Sequence, residues 1–245
     1  MSSQLLSLES RGPARRRSTR APEWDAYEAY FTPLPVVLQG LRSLATIVQP
    51  EVVMDLGAGA GPFGQVSAAL WPEAELVAVE ARASEAVHLN RHYDRVIIED
   101  ATQCRLPSAD LIVSNPPFSL ARKLAERALA VVRPGGLVAF LVRQTWGDAD
   151  EVEELLRFWP PAAELTISGR VSMAAAGEAT KDHFGYQWLV WRGPRPAGSA
   201  WPRLLLPRLD KQSLGWTARP GTGRLLHIDD ALVVDLRDVV REGRR

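Results

Sequence analysis

The chain has 245 residues, 46% hydrophobic and 24% charged, which suits one globular domain of moderate size and excludes a crosslinked miniprotein, a fibrous repeat or a disordered polymer. Lys plus Arg (29) equals Asp plus Glu (29), so any electrostatic footprint for a polyanion must be local. One cysteine, Cys104, allows no internal disulfide; with no apolar run near the roughly 20 residues that span a bilayer and no signal-peptide core, a cytoplasmic protein without membrane attachment is expected.

Residues 1–22 carry Arg11, Arg15, Arg16, Arg17 and Arg20 against only Glu9 and show no apolar period, which predicts a flexible basic arm, solvated or able to contact phosphates. Tyr30-Phe31-Thr32-Pro33 then leads into a helical pattern over 35–48. From Val52 onward, apolar runs at Val52–Leu56, Glu75–Glu80, Arg95–Ile98, 110–114, 137–142, 164–168 and 186–191 alternate with helical stretches at Pro62–Leu70, 84–91, 120–132 and 149–158. That alternation predicts an α/β fold, a doubly wound, mainly parallel seven-stranded sheet with helices on both faces. The last two runs lack an intervening helix, so an antiparallel edge strand is expected there. The domain is taken as 23–192, followed by a C-terminal appendage, 193–245, with two apolar pieces and no assigned role.

The first predicted strand ends in Asp55-Leu56-Gly57-Ala58-Gly59-Ala60-Gly61 and opens a helix. Glycines there let the backbone approach a ligand, and the helix start adds positive potential. The turn lacks the Gly-Lys-Ser/Thr ending of a phosphate loop, and Asp55 would repel phosphate while suiting a ligand with a cationic portion. Glu80 closes the second strand, where a carboxylate can accept two ribose hydroxyls. Glu99 and Asp100 close the third, where an acid can accept from an adenine amino group. Any one of these acids could be an ordinary solvated strand end; three in succession along one rim favour a site.

With these residues the sequence resembles the class I S-adenosylmethionine-dependent methyltransferases, a Rossmann-like family, over roughly residues 30–192. The resemblance implies S-adenosyl-L-methionine as cofactor, held by Asp55, Gly57, Gly59 and Gly61 around the methionine part, Glu80 on the ribose, and Asp100 with Ala101 on the adenine. A nicotinamide-dependent oxidoreductase would need Gly-x-Gly-x-x-Gly, and Pro62 stands where its last glycine belongs.

Asn115-Pro116-Pro117-Phe118 follows the fourth strand, at the carboxyl edge where doubly wound sheets place ligands. Two prolines stiffen the backbone and remove two N–H donors, leaving carbonyls and the Asn115 side chain as acceptors. An aromatic or amide NH₂ is a weak nucleophile because its lone pair is delocalised. Accepting its hydrogens at the Asn115 side-chain oxygen and the Pro116 carbonyl favours a pyramidal nitrogen, and Phe118 can stack on a planar ring. No metal is required. The turn resembles that of amino-methyltransferases, a group that includes adenine-N6 DNA and RNA methylases, guanine-N2 RNA methylases and glutamine methylases. Phe31, Thr32 and Pro33 resemble the aromatic-x-Thr-Pro segment that folds over the cofactor in phage and bacterial adenine-N6 DNA methylases. Their closing Arg-x-Ser-Phe and Thr-Asp segments resemble 170–183 here, with Met173 for the Phe and Lys181 inserted. The expectation is an N-methyltransferase of adenine N6 in DNA, with RNA or protein substrates, or a non-catalytic cofactor-binding scaffold, as alternatives. The oligomeric state is not legible.

Overall fold

The computed structural model describes residues 31–169, 171, 173, 184–193, 203–206 and 236. The chain begins with α1 (Leu34–Ala45), then β1 (Val52–Leu56), α2 (Pro62–Leu70), β2 (Glu75–Glu80), a 3₁₀ turn and α3 (Ala86–Leu89), β3 (Arg95–Ile98) and β4 (Ala109–Ser114). It continues with α4 (Ala121–Val131), β5 (Val132–Arg143), a 3₁₀ turn, α5 (Asp150–Phe158), β6 (Ala163–Ile167), β7 (Tyr186–Arg192) and β8 (Arg203–Leu206). No helix among the described residues is long and apolar enough to cross a membrane.

All seven expected strands join one sheet, in the order β3-β2-β1-β4-β5-β7-β6-β8. The first five run parallel. The antiparallel strand, β7, inserts between β5 and β6, pairing Leu141 with Trp188 on one side and Leu165 with the same Trp188 on the other. An eighth strand, β8, extends the sheet in parallel beside β6. β5 begins five residues earlier than the apolar run 137–142, and Pro134-Gly135-Gly136 forms an irregularity inside it, where the register jumps from Ala109↔Val132 to Leu111↔Leu137 and Gly135 takes a φ of 82°.

Strand alternation sends successive residues to opposite faces, and helices on both sides bury each face. Val53, Leu111, Leu137 and Trp188 belong to the core under α1 and α2. Met54, Ile112, Val138 and Trp191 belong to the core under α4 and α5. Trp188 meets Phe63 edge-on at 5.8 Å and Trp191 meets Phe140 at 6.0 Å, so both tryptophans are sheet-packing residues. Gly40 is the contact that lets α1 close on Trp188: a Cβ there would stand 2.3 Å from the indole. Further along the chain, the buried Leu236 donates its backbone N–H to the Thr46 hydroxyl beside α1 (3.0 Å).

Candidate functional site

The strand ends of β1, β2, β3 and β4 converge on one cleft. Gly57 and Gly59 line it from the first turn, Glu80 from the end of β2, Asp100 and Ala101 from beyond β3, and Asn115 and Pro117 from beyond β4. Leu120 and Leu124, at the start of α4, supply an apolar side. The sequence therefore places groups from both halves of the expected site on one wall-to-wall cavity. Asp55, Gly61, Phe31, Thr32, Pro33, Pro116 and Phe118 are not among the cleft-lining residues, and each has a separate position.

The glycine turn is a tight hairpin of backbone, with Gly57, Gly59 and Gly61 all at positive φ (74°, 57° and 83°). Such angles are cheap only for glycine. Its N–H groups are engaged within the protein: Gly57 and Ala58 donate to the Val79 carbonyl (2.8 and 3.2 Å), and Gly59 donates to Glu80 Oε2 (2.7 Å). What this turn offers a ligand is close approach along its glycine faces. Gly61 caps α2 and packs beside Tyr93 and Leu89.

Asp55 lies inside, 1% exposed, instead of at the cleft wall. The Tyr93 hydroxyl donates to its Oδ2 and accepts the Gly64 N–H (2.8 Å). Its Oδ1 is buried and has no partner among the described residues. Burial, tempered by the Tyr93 hydrogen bond and reinforced by the nearby Glu80 charge, pushes the carboxyl up to about 7. Burial and the same acid push the Tyr93 phenol well above its ordinary range. Gly64 makes the pair possible, since a Cβ there would stand 2.3 Å from the Tyr93 ring. Tyr93 was not singled out in the sequence; no local pattern couples it to a residue in β1.

Glu80 is buried and heavily used. Oε1 accepts the backbone N–H and the Nε–H of Arg82 (3.0 and 2.9 Å), while Oε2 accepts Gly59 N–H. Of about four acceptor positions on a carboxylate, one on Oε2 remains, which fits one ribose hydroxyl with Arg82 in this position. Arg82 also pairs with Glu85 at 3.2 Å and lines the cleft. Its place two residues beyond Glu80 is the signal that could have marked it. Asp100 is exposed and caps the following turn, accepting Thr102 N–H (2.7 Å) and Gln103 Nε2–H (2.9 Å). The Thr102 bond, above all, holds its carboxyl below the usual range. Each oxygen keeps an acceptor direction for an amino group. The cleft therefore fits an adenosyl group: glycine faces, one buried and one exposed carboxylate, and an apolar side.

At the other end, Ser114 ties β4 to β1 by donating to the Leu56 carbonyl (2.6 Å). Asn115 follows, and its Nδ2–H donates to Thr32 Oγ1 at 2.8 Å. Thr32 thus meets the Asn-Pro-Pro turn, 83 residues away in sequence. Phe31 N–H donates to the Met173 carbonyl (3.1 Å), which seats this segment beside the end of the sheet. The Pro116 carbonyl accepts no hydrogen bond among the described residues, whereas the Pro117 carbonyl accepts Leu120 N–H (2.9 Å). Phe118 packs against the core and carries the Arg143 guanidinium over its ring, 3.9 Å from the centroid. The basic arm, Arg170, Lys181 and His183 lie outside the described residues.

The family profile of the "methyltransferase small domain" matches residues 38–157. A malonyl-[acyl-carrier protein] O-methyltransferase from Methylococcus capsulatus is 34% identical over 134 residues, 50% of this chain and 46% of that protein. A type II methyltransferase, M.XamI, from Xanthomonas campestris pv. amaranthicola is 33% identical over 101 residues, 37% of this chain and 19% of that protein. The chain thus spans less than half the length of either relative. Among solved structures, the M protein of the type I restriction enzyme EcoKI superposes with a TM-score of 0.57 over 75% of this chain and 50% of that chain, at 14% identity, a likeness of fold.

Proposed function

We propose that the domain is a class I S-adenosylmethionine-dependent methyltransferase, the reading that the methyltransferase profile and the two methyltransferase relatives support, and that it methylates an exocyclic amino group, adenine N6 in DNA. S-adenosyl-L-methionine supplies an electrophilic sulfonium methyl when bound. Gly57, Gly59, Glu80, Asp100 and Ala101 would hold it, since these line the cleft.

The observation that carries the amino acceptor is the Asn115–Thr32 hydrogen bond. With Nδ2 donating to Thr32 Oγ1, the amide is anchored through its nitrogen and Oδ1 is available as an acceptor. The Pro116 carbonyl, fixed by its neighbouring ring, is the second acceptor. An NH₂ group donating to both loses conjugation with its ring, and its lone pair becomes available for attack. The methylated nitrogen then releases a proton to water. A hydroxyl acceptor has one hydrogen and would leave one of the two oxygens unused. A base paired in a duplex cannot bring its amino group to this turn, so the acceptor must be extruded or already single-stranded. The sequence likeness to a type II methyltransferase and the Arg-rich residues 1–22 support DNA as the partner.

The test is transfer of tritiated methyl to DNA, RNA and protein, with digestion of the product to nucleosides. N6-methyladenosine in its deoxy form is expected. Label confined to RNA or protein overturns the substrate, and Asn115→Ala that transfers normally overturns the site.

A further inference from the structure

Among the described residues, Arg143 has no acidic partner. It ends β5 and stands opposite Tyr186 in the β5–β7 ladder. Its guanidinium carbon lies 3.9 Å from the ring centroid of Phe118 and 3.9 Å from that of Phe184. Its Nε is buried without a hydrogen-bond partner among the described residues, and none of their ion pairs involves it. Among the described residues its charge is therefore met by ring faces, a weaker arrangement than an ion pair with matched hydrogen bonds. The buried Asp55, Glu80 and Glu85 all have partners elsewhere.

Two features make this placement informative. Phe118 is the aromatic residue of the Asn-Pro-Pro-Phe turn, three positions from the acceptor-holding Asn115, and it packs against the core. The space over its ring is thus the space a planar acceptor must use, and a planar cation fills it. Guanidinium has the flatness and delocalisation of a small heterocycle and stacks on aromatic faces as a base does. An Arg side chain is also long enough to leave, and once off the rings its five donors call for an anion.

We propose that Arg143 is an internal stand-in for the acceptor base: it covers Phe118 and Phe184 until a nucleotide enters, and then moves onto a backbone phosphate of the bound strand. This rests on the reading of nucleic acid as acceptor and adds to it a residue that links base entry to phosphate contact. Displacement exposes the rings just as the incoming ring covers them, and the charge passes from ring faces to a phosphate.

The two halves of the exchange predict opposite effects of one substitution. The full chain, loaded with S-adenosyl-L-methionine, is assayed on a single-stranded oligonucleotide holding one adenine. Adenosine, which has no phosphate, serves as competitive inhibitor. Arg143→Ala should lower the adenosine Ki three- to tenfold, because nothing need be displaced. It should raise the oligonucleotide KM about tenfold and flatten the slope of log Kobs against log salt by about 0.7, the value for one lost phosphate contact on a single strand. Arg143→Gln, planar and neutral, should leave the adenosine Ki near wild type and flatten the slope equally. A fold defect would weaken both ligands, so joint weakening overturns the proposal, as does no change in either. Unaltered cofactor affinity confirms that the variants are folded. A wild-type enzyme that methylates no nucleic acid overturns the acceptor reading itself; one that methylates the oligonucleotide while Arg143→Ala shifts neither constant overturns the stand-in alone.

Discussion

The two halves of the cleft are built in different ways. On the side of the glycine turn, groups at neighbouring strand ends are locked by bonds to one another and to the residues just after them: Glu80 holds Gly59 across from β1 and Arg82 two positions on, and Asp100 holds Thr102 and Gln103. On the side of the Asn-Pro-Pro turn, the partners come from far away: Thr32 from before α1, Arg143 from β5 and Phe184 from before β7. Local bonds form with the strand ends themselves, so the first half is preorganised for a ligand of fixed shape. Long-range contacts can be exchanged singly, so the second half can admit a substrate and close on it. If so, substitutions in the first half should cost stability and cofactor affinity together, and substitutions in the second should cost turnover with the fold intact.

The sharpest separation is Asn115→Ala, expected to lower kcat on the order of 10²- to 10³-fold, as loss of one preorganised polar contact to the reacting group does, while the cofactor Kd stays within twofold by calorimetry. A parallel rise in Kd would merge the two halves. Thr32→Val should follow with about a tenfold loss of kcat, since Asn115 keeps its oxygen but loses the bond that orients it; kinetics on the same acceptor would show this. On the other side, Tyr93→Phe strips Asp55 and Gly64 N–H of their buried partner and should destabilise by about 1–3 kcal/mol in urea unfolding.

That variant also has a pH signature. The Asp55 carboxyl is raised in the fold from 3.8 to about 7, so the native state binds the proton more tightly than the unfolded chain. The resulting stability is complete below about pH 4, falls as pH rises towards 7, and changes no further above it. The Tyr93 bond lowers the Asp55 value, so Tyr93→Phe should extend the fall to higher pH, and Asp55→Asn should remove it. Thermal melts across pH 4–8 distinguish these. The smallest effect belongs to neither half: Arg157 pairs with Glu153 on exposed α5, at 72% and 65% side-chain exposure, and Arg157→Ala should cost under about 0.5 kcal/mol and vanish at high salt.

The same contrast explains what could be read from the sequence. The strand ends were legible because short, nearly continuous apolar runs stop at turn or charged residues, so β1, β2 and β3 were bounded to the residue. Gly57, Glu80, Asp100 and Asn115 sit on those ends, and they do meet in one cleft. Asp55 shows the limit: its position in the motif was clear, but its inward turn depends on Tyr93 and on the missing side chain at Gly64. Arg143 and Phe184 were invisible for a related reason. Their meeting is decided by β7 inserting between β5 and β6, a pairing that no neighbouring residue encodes. The eighth strand was read only as an apolar piece of the tail, since four residues show too little alternation to name a strand.

The Ser114 hydroxyl bonded to the Leu56 carbonyl fastens the glycine turn and the Asn-Pro-Pro turn to a common anvil. Neither can drift without dragging the other, so the gap a methyl group would cross is inherited from the sheet. Diversification of targets within such a scaffold is then left to the margins, where segments ahead of α1 and around β7 can be rewritten while the central spacing endures.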